Sequence, residues 1–284
     1  MTKRHLLLAL LSVILWGINF PLIKFVFAEI SPLLSVALRL LISSVVCLPF
    51  VTRPKNNWGM ILLLSITLFT LTLGTAVLAL KEVDASIAAL MTELEVPFAA
   101  ILSYFILKEK FTKKQLLGTI IAFVGVYLIA KSPEILSTEL WPIWLLLVSA
   151  FFYALSAIMI KFIKGVHAFS ITVWSSFFAA PQLFVLSFIL EDYPLYSLGE
   201  VSQKIWVILT LSAAISILAF FIWNHLIGLY QVNQIVPFGM LIPLSALVAS
   251  YFILGETTHS QALVGGVLAL TGVYMQAMDR AKDQ

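Results

Sequence analysis

Charge is what this sequence has least of. Asp, Glu, Lys and Arg make up 11% of its 284 residues, against about 25% in an ordinary soluble domain. A chain so poor in charge cannot keep a folded surface wet. Cysteine is nearly absent as well: Cys47 stands alone, which excludes an internal disulfide and any cysteine-built metal site. The sequence holds no metal-ligand cluster, no phosphate-binding glycine loop followed by Lys-Ser/Thr, and no plausible pairing of nucleophile and base. It therefore reads as a non-enzyme without metal or cofactor and without an ATP site to drive a primary pump. The net charge of +3 gives no reason to expect a nucleic-acid partner.

What is present is hydrocarbon. Hydrophobic residues make up 61% of the chain and the mean hydropathy is +1.06. Ten apolar stretches are long enough to span a bilayer or nearly so, at 6–27, 32–51, 58–80, 85–107, 114–130, 141–163, 168–190, 205–227, 232–254 and 261–278. The fifth and tenth are at the short end. Polar or proline-bearing connectors separate them, such as TRPKNN from Thr52 and KSPEILSTE from Lys131. The first stretch follows Lys3 and Arg4 but runs past Trp16 and Asn19 to Phe27 with no small-residue cleavage site after it, so it reads as a retained helix. The expected fold is an all-α membrane protein of ten transmembrane helices, in a lipid bilayer of the inner (plasma) membrane type.

The chain also repeats itself. SYFILKEKFTKKQLLGTIIAFVGVY, from Ser103 to Tyr127, returns 147 residues later as SYFILGETTHSQALVGGVLALTGVY, from Ser250 to Tyr274. Ser103 to Leu107 match Ser250 to Leu254 throughout, and Gly118 and Gly125 fall on Gly265 and Gly272. The opening spans repeat more faintly, Trp16-Gly17 with Lys24 against Tyr153-Ala154 with Lys161. A duplicated unit divides the chain into 1–137 and 138–284. With the N-terminus in the cytoplasm, Lys3, Arg4, Arg53, Lys55, Lys108, Lys110, Lys113, Lys114, Lys161, Lys164, Arg280 and Lys282 fall inside, and only Lys81, Lys131 and Lys204 outside. That bias predicts cytoplasmic N and C termini. Five spans per half is an odd number, so the second half sits upside down: a 5+5 inverted-topology repeat, the architecture of many secondary transporters. The loop KEKFTKK, inside, carries four lysines; its counterpart GETTHS, outside, carries none.

These residues carry a resemblance. WGINFPLIK from Trp16 to Lys24, SPLLSVALRLL with Arg39, and a twice-used pattern of Pro, Glu, Gln, Gly and Gly are similar to EamA-type permeases of the drug/metabolite transporter superfamily. The pattern is Pro97, Glu109, Gln115, Gly118, Gly125 in the first half and Pro243, Glu256, Gln261, Gly265, Gly272 in the second. The resemblance covers essentially the whole chain. Lys108-Glu109-Lys110 departs from it, standing where a Gly-Glu-Arg-like turn is common. The resemblance implies a carrier of small metabolites and is poor for substrate: its members include exporters of amino acids and their derivatives and carriers of nucleobases and nucleosides. The expected function is a secondary active transporter moving a small polar metabolite, an amino acid or derivative, by efflux and alternating access, with protons as a candidate coupling partner. The runner-up is uptake of another metabolite such as a nucleobase, nucleoside or cationic compound. A channel or an intramembrane enzyme ranks below both, because one chain supplies both halves of a site and no catalytic constellation is seen. The sequence leaves the oligomeric state open.

The sharpest site signal is Glu93 and Glu95, mid-span in MTELEVPF just before Pro97. A charge at a helix centre costs roughly 2.5–3.5 kcal/mol on insertion scales, so such groups face protein or water and are functional by default. Residues two apart point about 160° apart on a regular helix. One carboxylate is expected to face the cavity and bind a proton or a substrate ammonium, unless Pro97 distorts the turn and brings both there. The other is expected to pair with Arg39 or Lys24. Arg39 is read as that structural charge partner, with recognition of an anionic group as the alternative. Lys24 and Lys161, near span ends, are expected to snorkel to the interface. Trp16 and Asn19 share a helix face, and Tyr153 and Ser156 hold the corresponding positions in the other half. Trp174, Gln182, Trp223 and Asn224 complete the candidate lining, against packing as the plainer use. Pro97, Pro237 and Pro243 are candidate hinges, and Pro21 a further interruption. The paired glycines are expected to serve close helix packing.

Overall fold

The structure is a computed structural model, described here for residues 2–108, 112–130, 140–160, 162–191, 198–230, 238–239, 241–257 and 259–280. The described residues form helices and no strands. This is what a bilayer requires, since each helix satisfies its own backbone groups. Ten rods are seen: α1 Lys3–Val26, α2 Pro32–Phe50, α3 Trp58–Leu80, α4 Ala85–Ile106, α5 Lys113–Ala130, α6 Trp141–Ile160, α7 Ala168–Leu190, α8 Gln203–Leu229, α9 Ile242–Leu254 and α10 Ser260–Arg280. Seven of them are long and apolar enough to cross a membrane, and shorter apolar helices cover Leu116–Ile129, Ile242–Leu254 and Ser260–Met275. The apolar runs of the sequence thus become rods with nearly their expected limits. The exception is α9, which starts at Ile242, ten residues later than the expected 232; most of the intervening residues, Pro237 among them, lie outside those described.

Starts and stops follow local chemistry. The Thr2 hydroxyl accepts from the His5 N–H to open α1, and the Ser202 hydroxyl accepts from Ile205 N–H to open α8. Pro32 opens α2 and Pro243 sits in the first turn of α9, where the missing N–H has no partner to lose. Pro243 therefore stands in the first turn of α9. α9 ends on Gly255 at φ +70°, left-handed, as such ends commonly do. Its counterpart in the repeat, Lys108, closes α4 in the same left-handed conformation at φ 57° without being glycine.

The principal contacts obey one rule. α1 packs on α8 and α9; α6 packs on α3 and α4; α2 packs on α8 and α7 on α3; and α2–α7, α4–α9 and α5–α10 pack on each other. Replacing each helix by the one five places later in the cycle leaves this scheme unchanged. α5 and α10 make the most extensive pair. A Cβ on Gly125 would strike the Gly265 carbonyl and the Ala269 backbone, and one on Gly272 would strike the Gly118 carbonyl and Ala122. Gly118 thus meets the repeat counterpart of Gly125, and Gly125 meets the counterpart of Gly118. Gly17 makes a similar approach between α1 and Ser245–Ala246 of α9.

Two helices are not regular. In α3, residues Ser65–Leu71 are π-helical, and the Thr72 hydroxyl donates to the Thr67 carbonyl at 2.8 Å. α4 breaks in its middle, between Ala85–Thr92 and Glu95–Leu102.

Candidate functional site

The break in α4 follows from Pro97. A regular helix would send the N–H of residue 97 to the Glu93 carbonyl, but proline has none. Val96 N–H takes that carbonyl instead, at 3.2 Å, and Glu93 N–H and Leu94 N–H reach back three residues to Leu90 and Met91 at 3.3 and 3.2 Å. Glu93 and Leu94 accordingly sit near φ −64°, ψ −11°, between 3₁₀ and bridge values (φ −63°, ψ −14° and φ −65°, ψ −8°). At three residues per turn, positions two apart separate by about 120° rather than about 160°. The tightening swings the two carboxylates toward one side.

Both carboxylates come within electrostatic reach of the Tyr153 phenol of α6, and of each other. Glu93 is buried, with 9% of its surface open. Tyr153 is 37% open. Glu93, Glu95 and Tyr153 therefore form the acidic centre of the bundle, drawn from both halves of the chain.

The other expected site residues divide. Asn19 is buried and already bonded: its amide donates to the Ser216 hydroxyl at 2.7 Å, and the Ser212 hydroxyl donates to its carbonyl oxygen. Gln182 is likewise spent, donating to Ser65 at 2.7 Å and accepting from Thr70 at 2.7 Å, so it pins α7 to the π-helical stretch of α3. Ser156 of α6 reaches the same stretch at Thr67, and Ser149 reaches the Thr72 carbonyl just after it. Trp16 stacks edge-on against Phe220 and Trp223 of α8, with centroids 5.3 and 5.1 Å apart. Trp174 is not with them. It sits beside Trp58, 5.1 Å away, and donates to the exposed Thr52 carbonyl, at the end of the bundle that carries the N-terminus. The Asn224 side chain lies outside those described.

Arg39 is buried, with 9% of its surface open, and has no hydrogen bond or ion pair among the described residues. The expected pairing with Glu93 or Glu95 is therefore not formed. Lys24 makes neither that pair nor a simple excursion to the interface: its ammonium meets Glu256 at 2.6 Å. Lys161 lies outside the described residues. Arg39 is seven residues from Pro32, Glu93 eight from Ala85, Asn19 seven from Val26 and Gln182 eight from Leu190. At 1.5 Å per residue these polar groups share one depth, about 10–12 Å below the end opposite the N-terminus. Among the described residues no three His, Cys, Asp or Glu side chains are grouped to hold a metal ion.

Rods of this kind, seven of them long and apolar enough to cross a bilayer, define a multi-pass membrane protein. The chain belongs to the EamA-like transporter family, which matches it twice, over residues 3–131 and 140–278. It is 30% identical to a "Probable amino-acid metabolite efflux pump" of Salmonella typhimurium and 28% identical to one of Escherichia coli, in each case over 97% of this chain and 95% of the relative. An "Uncharacterized transporter" of Archaeoglobus fulgidus is 23% identical over 96% of this chain and 97% of that one. A solved crystal structure shares the fold, at a TM-score of 0.67 and 14% identity over the full length of both chains. The protein is thus a transporter of the inner membrane, and its family implies a small-molecule substrate and a lipid environment.

Proposed function

We propose that this chain is a secondary active transporter that exports a small zwitterionic metabolite, an amino acid or derivative. The two halves, 1–137 and 138–284, form an inverted-topology repeat with both termini cytoplasmic, and they rock about the site between them. The observation that carries this reading is the Glu93–Glu95–Tyr153 centre in the broken middle of α4. A carboxylate there is placed to hold a substrate ammonium, or a proton that substrate displaces. Arg39, a buried guanidinium with no acceptor among the described residues, is suited to the carboxylate at the other end of such a molecule. The half-for-half packing scheme and the reciprocal glycine contacts support the inverted repeat. The printed names of the bacterial relatives support an amino-acid cargo.

A second reading is uptake of a nucleobase or similar planar compound. The Trp16, Phe220 and Trp223 rings, clustered beside the polar layer, favour it.

Counterflow in proteoliposomes with a mixed pool of labelled amino acids and nucleobases, at acidic and neutral pH, tests both. Saturable amino-acid exchange lost in Glu93→Gln or Glu95→Gln, and in Arg39→Leu, is the expected result. Exchange of a nucleobase alone transfers the assignment to the second reading. Amino-acid exchange unchanged in all three variants removes the acidic centre from the mechanism.

A further inference from the structure

The end of the bundle opposite the N-terminus is fastened by carboxylates that cross between the two halves. Glu256, at the corner between α9 and α10, is the most connected. One oxygen accepts from Lys24, at the end of α1, at 2.6 Å, and the other accepts from the Ala85 N–H, the first of α4, at 2.8 Å. Lys24 also donates to the Val83 carbonyl at 2.6 Å. Glu191, at the end of α7, accepts from the Ser31 hydroxyl at 2.6 Å and from Leu33 N–H at 2.8 Å, both at the start of α2. Glu29 accepts from the Ser202 N–H and hydroxyl at 2.6 and 2.8 Å, at the start of α8. Each carboxylate sits on free N–H groups at the positive end of a helix belonging to the other half, the favourable place for an anion.

The opposite end is different. Its cross-half bonds among the described residues include no ion pair: the Thr2 N–H and the His5 ring meet the Tyr230 hydroxyl at 3.3 and 2.7 Å, Thr52 meets Ser170 at 3.2 Å, Trp174 donates to the Thr52 carbonyl at 3.3 Å, and Asn57 donates to the Lys164 carbonyl at 3.3 Å. Among the described residues, then, one end is held by carboxylates and the other by bonds that include no ion pair.

Position makes Glu256 more than a fastener. It joins α1, α4 and the α9–α10 corner, and α1, α4 and α9 pack on one another. Glu93 lies eight residues along α4 from Ala85, and Asn19 five residues before Lys24 on α1. Glu256 thus ties together the helices that carry Glu93 and Asn19.

We propose that Glu256 is the latch of a gate: its bonds to Lys24 and to the start of α4 close the site at the end opposite the N-terminus, and they break each time the site opens there. This rests on the alternating-access reading above. The latch releases as a unit, because Lys24 and Ala85 share one carboxylate and losing either contact weakens the hold on α1 and α4 together.

The test is a distance measurement that needs no substrate. Spin labels are attached through cysteines at Ala28 and Thr257, both exposed, with Cys47→Ser removing the native thiol. Two variants are compared with the parent. Glu256→Gln removes the charge. Ala85→Pro removes only the N–H donor, at a first helical position where proline is well tolerated and after an Asp84 already extended at ψ 143°. The parent is expected to show a single short distance. Each folded variant is expected to add a second population, longer by on the order of 5 Å. A folded variant of either kind that keeps only the parent distance overturns the proposal. If Glu256→Gln fails to fold, Ala85→Pro decides alone. A distance response without any counterflow would retire the transport reading and leave the gate standing; counterflow without a distance response would do the reverse.

Discussion

A methyl group on Gly125 would collide with the carbonyl of Gly265, and one on Gly265 would collide with the carbonyl of Gly125. The contact is reciprocal and joins residues from the two halves. It leaves room for backbone and nothing else, which is how helices gain attraction where lipid offers them no hydrophobic reason to associate.

Gly125→Ala and Gly272→Ala should each destabilise the protein by about 1–3 kcal/mol, the usual cost of overpacking. Gly59→Ala, where an added Cβ meets nothing within 4 Å, should be neutral or slightly stabilising. Thermal unfolding in detergent compares the three directly. Equal losses at Gly59 and Gly125 would contradict the packing role.

Gln182 is expected to act as a tie between α7 and α3 and not as a binding residue. Gln182→Met keeps its bulk and removes both bonds, stranding the buried Ser65 hydroxyl's acceptor and the Thr70 donor. The melting temperature should fall, by an amount equivalent to about 1–3 kcal/mol. The KM for whichever compound exchanges in counterflow should stay within about twofold, because a change of 0.4 kcal/mol or less in substrate binding is all a remote tie should transmit. A large KM change with an unaltered melting temperature would return Gln182 to the site.

Glu29 supplies a pH dependence. The Ser202 N–H, and then its hydroxyl, hold the Glu29 carboxyl below the usual carboxylate range. A depressed value in the folded protein means that the bonds stabilise fully above the ordinary carboxylate pKa of about 4.3 and are lost as pH falls through the lower folded value. Hydrogen exchange at the first turn of α8 should therefore stay slow, after correction for intrinsic rates, from neutral pH down to that range and quicken below it. Glu29→Gln should show the faster rate throughout. The same pH profile in both proteins would dismiss the cap.

Lys108→Gly should stabilise. A residue other than glycine pays roughly 1–2 kcal/mol in the left-handed region, and glycine's extra freedom in the unfolded chain returns part of that. A rise in melting temperature of about 2–4 °C is expected. A fall would mean that the lysine's charge, and not its backbone, dominates at this corner.

Much of the fold was legible in the sequence because it rests on one-dimensional signals. The apolar runs set the rods, and the 147-residue repeat put Gly118 and Gly125 in register with Gly265 and Gly272. Pro97 announced the break in α4 beside Glu93 and Glu95, since proline in mid-span has no N–H to give. Hydrogen-bond partners were not legible. Asn19 and Gln182 read as candidate site lining, with interhelical packing as the plainer use; Ser212, Ser216, Ser65 and Thr70 bond them, and those neighbours depend on how helices distant in sequence are rotated against each other. Trp174 read as a cavity residue because its span has six residues before it; the structure sets that turn beside Trp58 and Thr52, at the rim. The π-helical stretch of α3 went unforeseen, although SITLFTLTLGT concentrates the hydroxyls that stabilise such a stretch. The latch was hidden for another reason: Glu256 looked like one element of a motif, and its partners lie 232 and 171 residues away.

Lys108 and Gly255 are the same corner written twice, each five residues past the matching serines Ser103 and Ser250, and each left-handed. A duplicated gene begins with two identical corners. One copy has the residue that turns there without strain. The other has a cation, in a loop that on the proposed topology must stay behind while its twin is threaded across. The mark of becoming upside-down siblings is thus a bent backbone: orientation was inscribed where conformation would have preferred silence.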